Sequence, residues 1–227
     1  MHVVGVQLDS PGFRPVPVTA KDTDFAPAQT IDLTTTFGAA RGAGVDPTYG
    51  LSVRLWVETA GGPATLQVPV TGTGVGLIRR LHDSACAAQQ LRMAASVSYG
   101  ATFARSVVGG EAVLVGDVVL RRPDGGSGDP VVVESLDGSV LFEVAPLRDG
   151  RTGPVAALSP TRERVRVPVS IGSRGRCDQH ARSQSTQTHL FSVFVRVGAE
   201  SLHREIIAPP PWLKRASLAL LDDVCGS

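Results

Sequence analysis

At 227 residues the chain has room for two domains of ordinary size or one large all-β domain. A hydrophobic content of 42% excludes a disordered polypeptide, and a net charge of +1 gives no field for capturing nucleic acid or anionic lipid. No run reaches the roughly 18 consecutive apolar residues of a membrane helix, and three cysteines without a Cys-x-x-Cys exclude a disulfide-dense miniprotein.

Met1 to Asp9 reads as a strand and not as an export signal, so the sequence predicts a chain that is intracellular or supplied without its leader. Pro11 to Pro17 breaks this strand. Ile31, Leu33 and Thr35 alternate with polar neighbours, which predicts a half-buried strand. Phe37 to Tyr49 is a Gly-, Ala- and Asp-rich loop. Leu51–Val57 and Leu66–Val70 flank Gly61-Gly62-Pro63, a hairpin pattern. The period then changes: Leu77, Ile78, Leu81 and Ala85 share one face of a short helix. Strand patterns resume at Leu91–Val97, Ala112–Leu120, Val131–Leu136 and Val140–Val144. Pro146 to Pro160 carries three prolines and two glycines and reads as a linker. Beyond it Val165, Val167, Val169 and Ile171 alternate. Pro168 predicts an edge strand there, or an amide turned outward. Phe191–Val197 and Leu202–Ile207 follow as strands. Pro209-Pro210-Pro211 opens a helix whose Leu213, Ala216, Leu220, Leu221 and Val224 share a face.

The chain repeats itself. Ser52-Val53 and Ser192-Val193 lie 140 positions apart, Cys86 and Cys225 139 apart, each pair within a strand–strand–helix pattern. A period this long means two copies of one folding unit. The expected fold is therefore mainly β: two tandem β-sandwich (immunoglobulin-like) domains, each with one short helix. Residues 1–148 form the larger domain, with extra strands, and 149–227 the smaller.

Cys177 and Cys225 read as a bridge tying a polar loop to a helix end, or as two unrelated thiols. Aligning Arg41-Gly42-Ala43-Gly44 with Arg174-Gly175-Arg176-Cys177 leaves Cys86 without a partner, as a buried or an intermolecular thiol. Cys177, His180 and His189 are weak candidate metal ligands, because thiolate and imidazole suit zinc or copper. The plainer reading makes His180 a hydrogen-bonder within its loop and His189 a solvated residue before a strand. No Gly-x-Ser-x-Gly elbow occurs, and Gly72-Thr73-Gly74-Val75-Gly76 lacks the lysine ending of a phosphate loop. Arg162, Arg164 and Arg166 read as a solvated strand face.

The Val165–Ile171 strand, the Arg176-Cys177-Asp178-x-His180-Ala181 loop, the Phe191–Val197 strand and the final Leu220-x4-Cys225 carry a resemblance. So do Leu77–Cys86, Val118-Val119-Leu120-Arg121-Arg122 and Gly138–Phe142. The chain resembles a loosely defined group of uncharacterised secreted or lipid-anchored actinobacterial proteins with two tandem β-rich domains. The resemblance implies an extracytoplasmic location and a structural role for Cys177 and Cys225, and it implies no known activity. The expectation is a non-catalytic binding or structural module of the cell envelope, without cofactor, acting on a protein or small-molecule ligand. The alternative is a metal-binding or redox accessory protein using Cys177, His180 and His189.

Overall fold

A computed structural model describes residues 1–147, 153–173, 175, 177, 188–200 and 202–226. In chain order the elements are β1 (His2–Asp9), β2 (Thr19–Asp24), β3 (Ser52–Thr59), β4 (Gly62–Pro69), α1 (Thr73–Ala94), β5 (Ser96–Val108), β6 (Glu111–Arg121) and β7 (Val131–Asp137). They continue with β8 (Phe142–Pro146), β9 (Ala156–Leu158), β10 (Arg164–Ser173), β11 (Phe191–Val197), β12 (His203–Ile207) and α2 (Pro211–Gly226). The fold is mainly β, as expected. Three four-stranded antiparallel sheets form among the described residues, ordered β2-β1-β3-β4, β5-β6-β10-β8 and β12-β11-β7-β9.

The chain divides into two compact units, Met1–Ala87 and Ala88–Ser227, the division falling inside α1. This division does not coincide with the expected boundary at 148/149. β6 pairs with β10 from Arg121↔Arg164 to Val113↔Gly172, and β7 pairs with β11 from Val131↔Val197 to Asp137↔Ser192. The ladders cross the Pro- and Gly-rich stretch, and β9 within it pairs with β7. That stretch is a connection inside one unit.

The second unit is a sandwich. Val118, Leu120, Val167 and Val169 of one sheet meet Val131, Val133, Leu158, Val193 and Val195 of the other, joined by Leu91 and Ala94. Several of these are fully sequestered, and each such side chain contributes about 2 kcal/mol. α2 starts at Pro211, where a missing N–H is harmless. It sets Leu213, Leu220 and Leu221 against Phe142, Ile171 and Phe191. β10 is an inner strand rather than an edge. Pro168 is tolerated because the ladder with β8 ends at the next residue, Val169↔Pro146, and its carbonyl accepts from the Leu147 N–H at 2.9 Å.

The first unit is one sheet and not a sandwich, which corrects the second half of the fold expectation. One strand order nevertheless recurs in both units, with β7 rather than β10 opening the second set. Read in chain order, β1, β2, β3 and β4 take the positions that β7, β9, β11 and β12 take in the second unit, every neighbour antiparallel, and a helix follows each set. Ser52 and Ser192 are both buried on the third strand of their set. The helix of the first copy is long, at 22 residues, because Leu91 and Ala94 continue into the second unit's core. The second unit covers Val193 and Val195 with its other sheet. In the first unit Leu66 and Val68, across from Leu55 and Val53, stay 40% and 45% exposed.

Candidate functional site

The candidate site lies in the first unit, where the chain leaves β1. Pro11 ends the strand, and Phe13 turns inward to pack with Leu51 and Ile78. Phe13 forms an antiparallel bridge with Ala40, flanked by Arg14 N–H to Ala39 O at 2.8 Å and Arg41 N–H to Gly12 O at 2.9 Å. Side chains alternate across such a pairing. With Phe13 and Ala40 buried, Arg14 and Arg41 fall on the opposite, outward face. The strands approach so closely that a Cβ at Gly38 would collide with the Arg14 carbonyl oxygen.

A second loop completes the wall. Ser10 Oγ donates to Pro47 O at 2.7 Å. The Asp46 carboxylate accepts from the Thr48 hydroxyl at 2.6 Å and its N–H at 2.9 Å, which hold the carboxyl below its ordinary value. Tyr49 follows, 81% exposed, and Gly50 (φ 62°) turns the chain into β3. From β3, Arg54 reaches Asp9 at 2.9 Å. Gln7 Nε2 donates to Val16 O at 2.5 Å and ties the far wall to β1.

These residues enclose a cleft of about 490 Å³, within the range of small-molecule sites. Arg14, Arg41, Arg54, Asp9, Phe37 and Tyr49 line it, and its lining contains no His, Cys, Lys or Glu. Phe37 packs at a tilt against Phe13, ring centroids 4.9 Å apart, and remains 43% exposed. Reading the sequence missed this cleft, since its arginines are scattered and only the Phe13↔Ala40 bridge gathers them.

The structure joins Cys177 to Cys225, with Cα atoms 5.2 Å apart. Cys177 is thus committed to sulfur, not to a metal. His189 packs against Phe142 at 5.5 Å, and His180 lies outside the described residues. Among the described residues no group of three metal-binding side chains occurs. Gly72 and Thr73-Gly74-Val75-Gly76 form the turn and first turn of α1. Arg162, Arg164 and Arg166 are exposed, as expected.

Cys86 is the free cysteine. It is buried one helical turn from buried His82, Sγ to Nε2 3.6 Å. The His82 ring meets Phe13 edge-on at 5.6 Å. Burial pushes the thiol pKa up, only partly offset by a hydrogen bond from the Gly42 backbone. A protonated, buried thiol is a packing element and not a nucleophile. The Gly42 contact also brings loop 41–44 to α1, just as Cys177 meets Cys225 on α2.

Compared with known protein families, curated proteins and solved structures, the chain matches none. No helix among the described residues is long and apolar enough to cross a membrane.

Proposed function

We propose that this protein is a non-catalytic binding module of the cell envelope, working outside the cytoplasm, and that it holds its ligand in the cleft beside β1. One observation carries the reading: a ligand-sized cleft whose lining offers cations and aromatic rings, with its one hydroxyl side chain besides Tyr49, Ser10, donating to Pro47 O. The single carboxylate there, Asp9, is already paired with Arg54. Nucleophilic catalysis by a hydroxyl needs an adjacent base, and no His, Lys or Glu lines the cleft beside Ser10.

The Cys177–Cys225 bridge supports an oxidising compartment, where such bonds persist. The order β5-β6-β10-β8 over β12-β11-β7-β9 supports the immunoglobulin-like reading of the second unit as a rigid scaffold. Fold alone assigns no ligand, so the cleft bears the weight of the proposal.

Isotope-labelled protein titrated with a mixed set of neutral, anionic and cationic fragments tests this. Shifts gathered on the amides of Arg14, Phe37, Gly38, Arg41 and Tyr49 are expected. No response, or a response confined to other residues, contradicts the reading.

A further inference from the structure

We infer that the cleft beside β1 takes an oxyanion, a carboxylate or phosphate group, carried on a flat body that lies against Tyr49 and Phe37. This rests on the binding-module reading and narrows it to a ligand class. Three guanidiniums line the cleft against one carboxylate. Arg54 is satisfied by Asp9 at 2.9 Å. Arg14 and Arg41 have no ion pair or side-chain hydrogen bond among the described residues, so positive charge is in excess on that wall.

The excess is built in by the backbone. Burial of Phe13 and Ala40 forces Arg14 and Arg41 onto one outward face of the same short pairing. Each guanidinium presents a planar fork of donors that matches the two oxygens of a carboxylate or phosphate. A cationic ligand meets repulsion there, and a neutral one leaves the forks to water.

The rings supply the second half of the recognition. Phe37 is anchored on one side by Phe13 at 4.9 Å and exposes the other. Tyr49 is held out by the Asp46–Thr48 turn with most of its surface in solvent. Flat apolar surface next to unpaired guanidiniums suits a ligand with one charged end and one planar or ring-shaped body.

Calorimetry on the whole chain with four probes of one shape tests the inference: benzoate, phenyl phosphate, benzamide and benzylamine. At least one oxyanion is expected to bind about tenfold or more tighter than benzamide, and benzylamine not at all. Whichever oxyanion binds tighter separates a carboxylate from a phosphate ligand. Arg14→Gln/Arg41→Gln should weaken oxyanion binding about tenfold or more, and Tyr49→Ala severalfold, with melting temperature unchanged because all three side chains are exposed. Benzamide or benzylamine binding the cleft as tightly as the oxyanions, or oxyanion binding unaltered in the double variant, overturns the oxyanion assignment and leaves the binding module standing. No probe reaching the cleft at millimolar concentration overturns both.

Discussion

Ser192 accepts a hydrogen bond from Arg204 Nε at 2.9 Å, and Ser52 accepts one from Gln67 Nε2 at the same distance. The geometry is the same in both units. Each serine is buried on the third strand of its set, and each donor sits on the next strand, across from the residue two beyond the serine (Arg204 from Phe194, Gln67 from Arg54). Two different donors thus make the same contact at the same place in the two strand orders.

Removing either hydroxyl should therefore act alike. Ser192→Ala and Ser52→Ala are each expected to lower stability by about 1 kcal/mol in urea unfolding. A double-mutant cycle of Ser192→Ala with Arg204→Ala should show coupling of about 0.5 kcal/mol or more. Additive effects at both sites would remove the hydrogen bond as the reason these serines are buried.

The bridge between Cys177 and Cys225 spans a sequence separation of 48 residues. Closing a loop of that length restricts the unfolded chain by about 4 kcal/mol. The Cys177→Ser/Cys225→Ser variant should unfold at markedly lower denaturant concentration, with the loss in the second unit. Reductant should shift the parent protein and leave the variant unmoved. An unchanged midpoint in the variant would show that the loop is already ordered without sulfur.

Much of the scaffold is legible in the residues. Alternation places β4 and β10, and apolar strand-like runs place β3, β6, β11 and β12. Four failures have physical causes. β2, with the sequence TAKDTD, has no apolar alternation to read, since it is an edge strand with little buried surface. Most of β5 was hidden because its register shifts between Tyr99 and Phe103, which breaks the period of two. Leu91 to Ala94 reads as the start of a strand, yet Leu91 and Ala94 bury on a helix face against the sandwich. Likewise Ile31, Leu33 and Thr35 alternate but form no strand, and Thr34 and Thr35 instead meet Lys21 and Thr19 through side chains. The cleft was illegible for a different reason. It depends on the single bridge between Phe13 and Ala40, and a pairing between two irregular segments leaves no periodic trace.

Arg122 is a hub that no motif announces. Its guanidinium donates to five carbonyls, those of Ala94, Ser127, Asp129, Leu158 and Ser159, at 2.7–3.4 Å. It thereby ties the end of α1, the loop after β6 and the end of β9 together. Arg122→Met keeps the stem and loses the fork, and should cost about 3 kcal/mol. Arg122→Lys keeps the charge without the geometry and should recover only part. A cost below about 0.5 kcal/mol for the methionine variant would show that water replaces the fork.

His189 gives the second unit a pH dependence. Burial, reinforced by the Lys214 ammonium, holds its pKa below the ordinary 6.5, against a backbone hydrogen bond to Lys214 that pulls it up. The unfolded chain then takes up the proton first, so its stabilising contribution is complete above 6.5 and is lost as pH falls toward the folded value. Melting temperature should drop between about pH 7.5 and about pH 5, and the drop should be smaller in His189→Phe, which keeps a ring beside Phe142. Equal slopes in parent and variant would assign the pH dependence to other groups.

The central claim is that Arg14 and Arg41 are a ligand's partners and not merely solvated side chains. Side-chain Nε–H resonances of the arginines, followed while phenyl phosphate or benzoate is added, read this directly. The account predicts that the Arg14 and Arg41 signals move together and saturate, while that of Arg122, locked on its carbonyls, stays in place. Arginine signals that drift uniformly and never saturate would contradict it.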